Sequence, residues 1–368
     1  MHLRLLVLAT DYPTPDGRTA QGFIHSRIKE YLRAGIKVDV LSFSAGFDYM
    51  HEGIHVYTLR NVERRLIHDR YDLLVSHAPN LRNHLRFLGK YGNRFPTTVF
   101  FFHGHEVLRT TDVYPPPYPY MKRSSWLHTW TRNAYDELKI RILRRYFCSV
   151  KYRSHFVFVS NWMAKKFHET IGITPKEIEG RRHIIYNCVG RIFQERSYDR
   201  SAPKTYDFIT IRNQLDGSKY AIDIVCRIAE RHPELKFCVV GKGKFFRYFQ
   251  KPTNLIWVDK HLSHEEIVRY LDESRCALLP TRADAQGVMA CEMATFGIPL
   301  ITSDLEVCSE VFDGFRNVAL ISNEEEHINI VPLYNKLTSL QLDANEKNER
   351  FMVQNTAGRE IALFNELV

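Results

Sequence analysis

Apolar residues fall along this chain in short, nearly unbroken runs, separated by stretches where they recur every third or fourth position. In the first half the runs are Leu3–Ala9, Lys37–Phe43, Tyr71–Ser76, Thr97–Phe102 and His155–Val159, with helical periodicity over Gly22–Ala34 and Asn161–Ile171. In the second half they are Tyr206–Ile211, Lys236–Val240, Leu255–Val258, Cys276–Leu279 and Pro299–Thr302. Runs that are apolar on both faces predict strands covered by helices above and below, and so parallel α/β sheets. Two series predict two doubly wound, Rossmann-like domains. The periodicity breaks over Arg191–Thr205, where polar residues and Pro203 intervene. The expected domains are therefore residues 1–195 and 196–368, with the last helix able to pack back on the first. Ligands of such sheets bind beyond the carboxyl ends of the strands, so function is sought at strand ends facing an interdomain cleft.

Composition narrows the picture. No run approaches the ~18 apolar residues of a membrane span, and the N-terminus, with Arg4 inside Leu3–Leu8, reads as a strand instead of a secretory signal. Seven cysteines with no close CxxC pair suggest neither a disulfide framework nor a zinc site, which fits the cytosol. The net charge of +9 is uneven: residues 1–195 carry 30 Lys+Arg against 17 Asp+Glu, and the remainder is net acidic. That split argues for an anionic partner of the first half, with a solvated basic surface as the alternative.

The most informative stretch runs from Pro280 to Pro299. It follows a predicted strand, enters a helix near Gly287, and holds Asp284 and Glu292 eight positions apart. A helix N-terminus offers free backbone amides and a favourable dipole to phosphate or sugar hydroxyls, and a carboxylate one turn in can bind a vicinal diol. The stretch resembles the E-x7-E region of family 4 glycosyltransferases of the GT-B fold, here as Asp284-x7-Glu292. Asp replaces the first Glu, and Ala285-Gln286 replaces the usual Gly-Phe. The resemblance implies that Asp284 contacts the transferred sugar and Glu292 the donor ribose, with Gly287 and Val288 at the helix start also lining the donor. Upstream, Ile209–Lys219 is similar to the family's strand followed by two cations that hold the donor diphosphate. Arg212 and Lys219 would take that role, stabilising charge that grows on the leaving group. Ile211 stands where the family has Gly, and Tyr220 follows Lys219. Val239-Val240-Gly241-Lys242-Gly243 resembles a strand-end Gly-x-Gly where the nucleotide approaches backbone at Gly241. Ile184–Gly190 and Phe158–Asn161 resemble two further family segments.

In the first half, Tyr12–Gly22 looks like the family's glycine-bearing loop at the acceptor side, with Gly17 beside the donor. It lacks the G-x-G-x-x-G spacing of a dehydrogenase. His103 ends the strand Thr97–Phe102 and matches a histidine that lines the donor-sugar pocket. Glu106 is the nearest candidate for a general base. A metal site at His103, His105 and Glu106 ranks low, since the resembling fold holds its diphosphate with cations of the protein; no cofactor and no metal are expected.

Residues 109–153 carry ten Lys+Arg against three acids, interleaved with Tyr114, Tyr118 and Tyr120 among prolines. Trp126, Trp130, Ala134, Leu138 and Ile142 recur every fourth residue. With Lys122, Arg123, Arg144 and Arg145, this stripe suits either an anionic bilayer surface or packing on the N-terminal sheet. The resemblance implies a retaining transferase moving a sugar from a nucleotide-sugar to a glycan or lipid-linked glycan on the cytoplasmic side of a membrane, in cell-surface polysaccharide synthesis. A sugar-nucleotide 2-epimerase of the same fold and a basic nucleic-acid-binding module are the rivals. No nucleic-acid motif is present, and no nucleic-acid partner is expected.

Overall fold

The computed structural model of the protein describes residues 3–17, 20–121, 126–325, 328–340 and 347–368, and for 126–129 the backbone alone. The chain gathers into two compact units, Met1–Thr110 with Thr131–Cys188 and Met352–Val368, and Thr111–Trp130 with Val189–Phe351.

The expected boundary at 195/196 lies instead at 188/189, and residues 111–130 leave the first half to join the second unit. Side chains account for this excursion. Tyr118 enters the apolar core of the second unit, its ring 5.0 Å from Phe245 and 5.7 Å from Phe249. Its hydroxyl donates to Asp223 at 2.7 Å, and that of Tyr120 donates to Asp216 at 2.6 Å. These tyrosines therefore serve the packing of the second unit and not a membrane interface. The last helix, Ala357–Glu366, belongs to the first unit.

In the first unit the strands are β1 (Arg4–Ala9), β2 (Lys37–Ser42), β3 (Tyr49–His51), β4 (Ile54–Tyr57), β5 (Leu73–His77), β6 (Thr97–Phe102), β7 (Ser154–Phe158) and β8 (Arg182–Ile184). They form one sheet in the order β3-β4-β2-β1-β5-β6-β7-β8, parallel except for the β3–β4 hairpin. Leu5 to Ala9 of β1 and Val99 to Phe102 of β6 are fully buried, as strands covered on both faces require. Each such phenylalanine contributes about 1.5–3 kcal/mol by leaving water. The helix Asn161–Ile171 starts where Ser160 Oγ accepts from Met163 N–H and stops at Gly172, whose φ of 74° suits glycine.

The second unit holds β9 (Tyr206–Gln214), β10 (Phe237–Lys242), β11 (Leu255–Val258), β12 (Ser274–Leu279), β13 (Leu300–Ser303) and β14 (Val318–Ile321). All pair in parallel, in the order β11-β10-β9-β12-β13-β14. Strand order reverses direction between β1 and β5 in one sheet and between β9 and β12 in the other. Beyond the carboxyl ends at such points the connecting loops part and leave a crevice.

Candidate active site

At the reversal point of the second unit, Arg212 lies near the end of β9 and β12 leads into the loop Pro280–Gly287. The Arg212 guanidinium donates from Nη2 to the Pro280 carbonyl at 2.8 Å, which turns it across the gap between the two strands. Its Nε is buried and unpaired. Burial disfavours the Arg212 charge, and Asp284 opposes that effect. Arg212 and Asp284 line one small cavity with Thr281, Gln286 and Gly287. The fold thus joins two residues 72 positions apart that the sequence had placed in one site. A buried guanidinium with an unmet N–H is a ready partner for an anion.

Asp284 also shapes its own loop. Oδ1 accepts from the amides of Ala285 at 2.8 Å and Gln286 at 3.2 Å, capping the turn into the helix Val288–Phe296. A β-carbon on Gly287 would come within 3.0 Å of Oδ2, so glycine there leaves room for the second carboxylate oxygen. Val288, the first helical residue, is half-buried.

Lys219 lies beyond β9 on the single turn Ser218–Tyr220. Its ammonium sits 4.9 Å from the centre of the Tyr220 ring and 5.6 Å from that of Tyr114, and it makes no ion pair among the described residues. What ties this turn to the Asp284 loop escaped the sequence reading. Arg282 donates from its backbone N–H to the Lys219 carbonyl at 2.8 Å and from Nη1 to the Ser218 carbonyl at 2.9 Å. Asp223 grips the same guanidinium with both oxygens, at 2.8 and 2.5 Å, and accepts the Tyr118 hydroxyl. Arg282 sits two residues before Asp284, and asking what anchors that loop is the signal that would have found it.

Glu292 is buried, with Oε1 accepting from the Gly190 amide at 3.2 Å, and His264 Nε2 stands 4.0 Å away, beyond hydrogen-bond distance. Burial pushes its carboxyl up to about 7, against the lowering effect of the Gly190 amide. Ile184–Gly190, read as a fold-supporting segment, thus supplies a partner of the expected ribose ligand. Gly241 also has a structural reason. A β-carbon there would lie 2.1 Å from the Arg212 carbonyl oxygen, so the glycine serves the close approach of β9 and β10.

In the first unit, β5 and β6 end side by side. His103 Nε2 and His77 Nδ1 are 3.0 Å apart, and the His103 ring packs 4.5 Å from that of Phe23. Burial, reinforced by Arg27, holds His103 well below the ordinary histidine range, and burial does the same for His77. Both are neutral at pH 7, so one ring donates and the other accepts. His77, invisible as a site residue in the sequence, fixes the tilt of His103. Glu106 is buried, and its oxygens accept from the amides of His103 at 2.8 Å and Gly104 at 2.6 Å. It holds the loop after β6 in shape, which corrects its reading as a general base at the acceptor side. Gly17, with φ 93°, closes a turn onto the Thr14 carbonyl in open surroundings.

The helix Trp126–Val150 turns Ile140, Leu143, Phe147 and Val150 inward, together with an Asp136–Lys139 pair at 2.8 Å. Trp130 (66% exposed), Ala134, Leu138 (56%) and Ile142 (40%) face solvent, and so do Arg141, Arg144 and Arg145. The stripe is therefore not what packs this helix on the sheet. Lys122 and Arg123 lie outside the described residues, as does the Trp126 side chain.

Residues 209–331 match the glycosyl transferases group 1 family. The matched region carries Arg212, Lys219, Gly241, Asp284, Gly287 and Glu292. No curated protein matches the chain by sequence. Among solved structures, a sucrose-phosphate synthase from Thermosynechococcus elongatus is similar over 100% of this chain and 99% of its own, with TM-score 0.71 and 10% identity. An E. coli structure described as trehalose-6-phosphate bound with UDP-2-fluoro glucose matches over 99% and 98%, with TM-score 0.62 and 11% identity. The catalytic domain of starch synthase IV from Arabidopsis thaliana, bound to ADP and acarbose, matches over 100% and 99%, with TM-score 0.56 and 11% identity. The fold is GT-B, as the resemblance implied. No helix among the described residues is long and apolar enough to cross a membrane.

Proposed function

We propose that the protein is a retaining, metal-independent glycosyltransferase whose group 1 region binds a nucleotide-sugar. The observation that carries this is the half-buried Arg212, with its unmet Nε–H, sharing a cavity with Asp284 at the reversal point of the second sheet. Neighbouring folds that hold UDP-2-fluoro glucose or ADP support the donor class. In this reading Arg212 and Lys219 hold the diphosphate, Asp284 Oδ2 contacts hydroxyls of the transferred hexose, and Glu292 binds the ribose. The bond from the anomeric carbon to the diphosphate breaks, and a bond to the acceptor oxygen forms on the same face. The acceptor proton passes to the departing phosphate, whose charge the two cations stabilise. No protein carboxylate needs to act as base, in keeping with the occupied Glu106.

The acceptor in this proposal is a glycan or lipid-linked glycan at the cytoplasmic face of an anionic membrane. The exposed Trp130, Leu138 and Ile142 beside Arg141, Arg144 and Arg145 support peripheral attachment, each basic residue adding about 1 kcal/mol near such a surface. Hydrolysis of a panel of UDP-, GDP- and ADP-sugars tests the central claim. Turnover of one donor class, abolished in Arg212→Ala, is expected. Conversion of the donor to its 2-epimer, or no turnover of any donor, overturns it.

A further inference from the structure

A cluster on the first unit, unrelated to the proposed chemistry, has the makings of a metal site. His25 on the helix Gly22–Arg33 meets His51 and Glu52 at the tip of the β3–β4 hairpin, and one ligand atom from each lies within 4.8 Å of the other two. His25 is 8% exposed, and its Nε2 is buried without a hydrogen bond, facing Glu52 Oε2 at 3.3 Å. Ligand atoms bound at 2.0–2.2 Å around a tetrahedral ion stand about 3.3–3.5 Å from one another. One edge of that tetrahedron is therefore already built, and a shift of at most about 1.5 Å at His51 completes the face.

Two further features favour a ligand here. Tyr12, fully buried, pairs its hydroxyl with His25 Nδ1 at 2.9 Å. In the tautomer whose Nδ1–H donates to that oxygen, the Nε2 lone pair points to the cluster, and Tyr12 is then the outer partner that metal-bound imidazoles use. Finally, Glu52 and Gly53 make the two-residue turn of the hairpin with φ of 45° and 80°. Such turns favour Asn-Gly, and a glutamate at the first position is strained. A costly residue held at this position is the kind of outlier that marks a task.

We propose that His25, His51 and Glu52 bind one divalent ion of the zinc class, with water completing its shell, and that the ion staples the edge hairpin to the helix Gly22–Arg33. Two imidazoles and one carboxylate suit zinc over calcium or magnesium. Lys29, 2.6 Å from Glu52 and partly exposed, swings to solvent when the ion arrives. The hairpin also carries Tyr49, whose hydroxyl donates to the Pro13 carbonyl at 3.0 Å, so the ion would stiffen the loop after β1 as well.

The test uses the full chain without a histidine tag, stripped with chelator and titrated with Zn2+ by calorimetry and with Co2+ by visible absorption. One equivalent is expected, weakened about 10–100-fold in His51→Ala and in Glu52→Gln, both exposed enough to leave folding intact. Glu52→Asn separates the ligand from the strain. It should raise the melting point of the metal-free protein and abolish the further rise that Zn2+ gives the parent. Absence of saturable binding, or binding that His51→Ala and Glu52→Gln leave unchanged, overturns the proposal.

Discussion

Glu292 offers the sharpest test of the second unit, because its environment makes opposite demands on stability and binding. In the unfolded chain its carboxyl titrates near 4.5, and in the folded ligand-free protein at about 7. Between these values the folded state holds the proton more tightly. The free energy of unfolding therefore falls as pH rises from about 4.5 and levels off above 7. A difference of about 2.5 units at 1.36 kcal/mol each gives about 3 kcal/mol. Glu292→Gln keeps the shape and an oxygen for the Gly190 amide but removes the titration. Relative to the parent, the variant should gain about 3 kcal/mol between pH 4.5 and pH 8, or about 2–4 °C per kcal/mol in melting temperature for a unit of this size. Denaturant melts followed by Trp257 fluorescence at both pH values measure this. The same variant should bind nucleoside diphosphate about 10-fold or more weakly, since a charged acceptor on the ribose contributes ~1.5–3 kcal/mol. A stability difference that is flat with pH refutes the burial argument, and unchanged nucleotide affinity refutes the ribose assignment.

Four further outcomes are expected. Arg212→Ala and Lys219→Ala should each lower turnover by about 100-fold or more in a folded protein, read by steady-state kinetics. Ala221, at φ 52° before the helix Ile222–Arg231, sits in a region that penalises a β-carbon, but its methyl is fully buried, so Ala221→Gly should change stability by less than about 1 kcal/mol in denaturant melts. Chelation should leave donor turnover unchanged while lowering the melting point through the His25 cluster. The protein should co-sediment with anionic but not neutral vesicles, release at high salt, and lose binding when Lys122, Arg123, Arg144 and Arg145 become Ser. Equal sedimentation with both vesicle types would remove the membrane proposal.

Most of both sheets was legible because their central strands are apolar on both faces, and a run such as Thr97–Phe102 admits few other readings. The edges were not. β3 and β8, with sequences Tyr-Met-His and Arg-His-Ile, are short and half-exposed, so no apolar run announces them. In the second unit, Arg212 and Asp284 were legible because each follows an apolar run, Tyr206–Ile211 and Cys276–Leu279. Asp223, Arg282 and His77 were not, since each acts through a partner that only folding brings near: Asp223 and Arg282 are 59 residues apart and His77 and His103 are 26. The strap of tyrosines showed its composition but not its destination. Prolines and aromatics look alike on a membrane-facing loop and in a neighbouring core until a carboxylate such as Asp223 is seen to accept the hydroxyl.

The closing segment of the chain sets the order in which the protein can mature on a ribosome. Arg27 and Glu360 form a fully buried pair at 2.8 Å, and Phe364 packs on Tyr31 in the core of the first unit. Until residue 360 is made, Arg27 would sit in an apolar interior without its counter-charge, a situation that costs about 3–5 kcal/mol. The unit that emerges first is thus the last to be completed, after all of the second has been synthesised. A nascent or truncated chain ending before residue 352 would expose that unfinished core to chaperones and proteases. Expressing the first unit alone would require a fusion that carries residues 352–368 back to it.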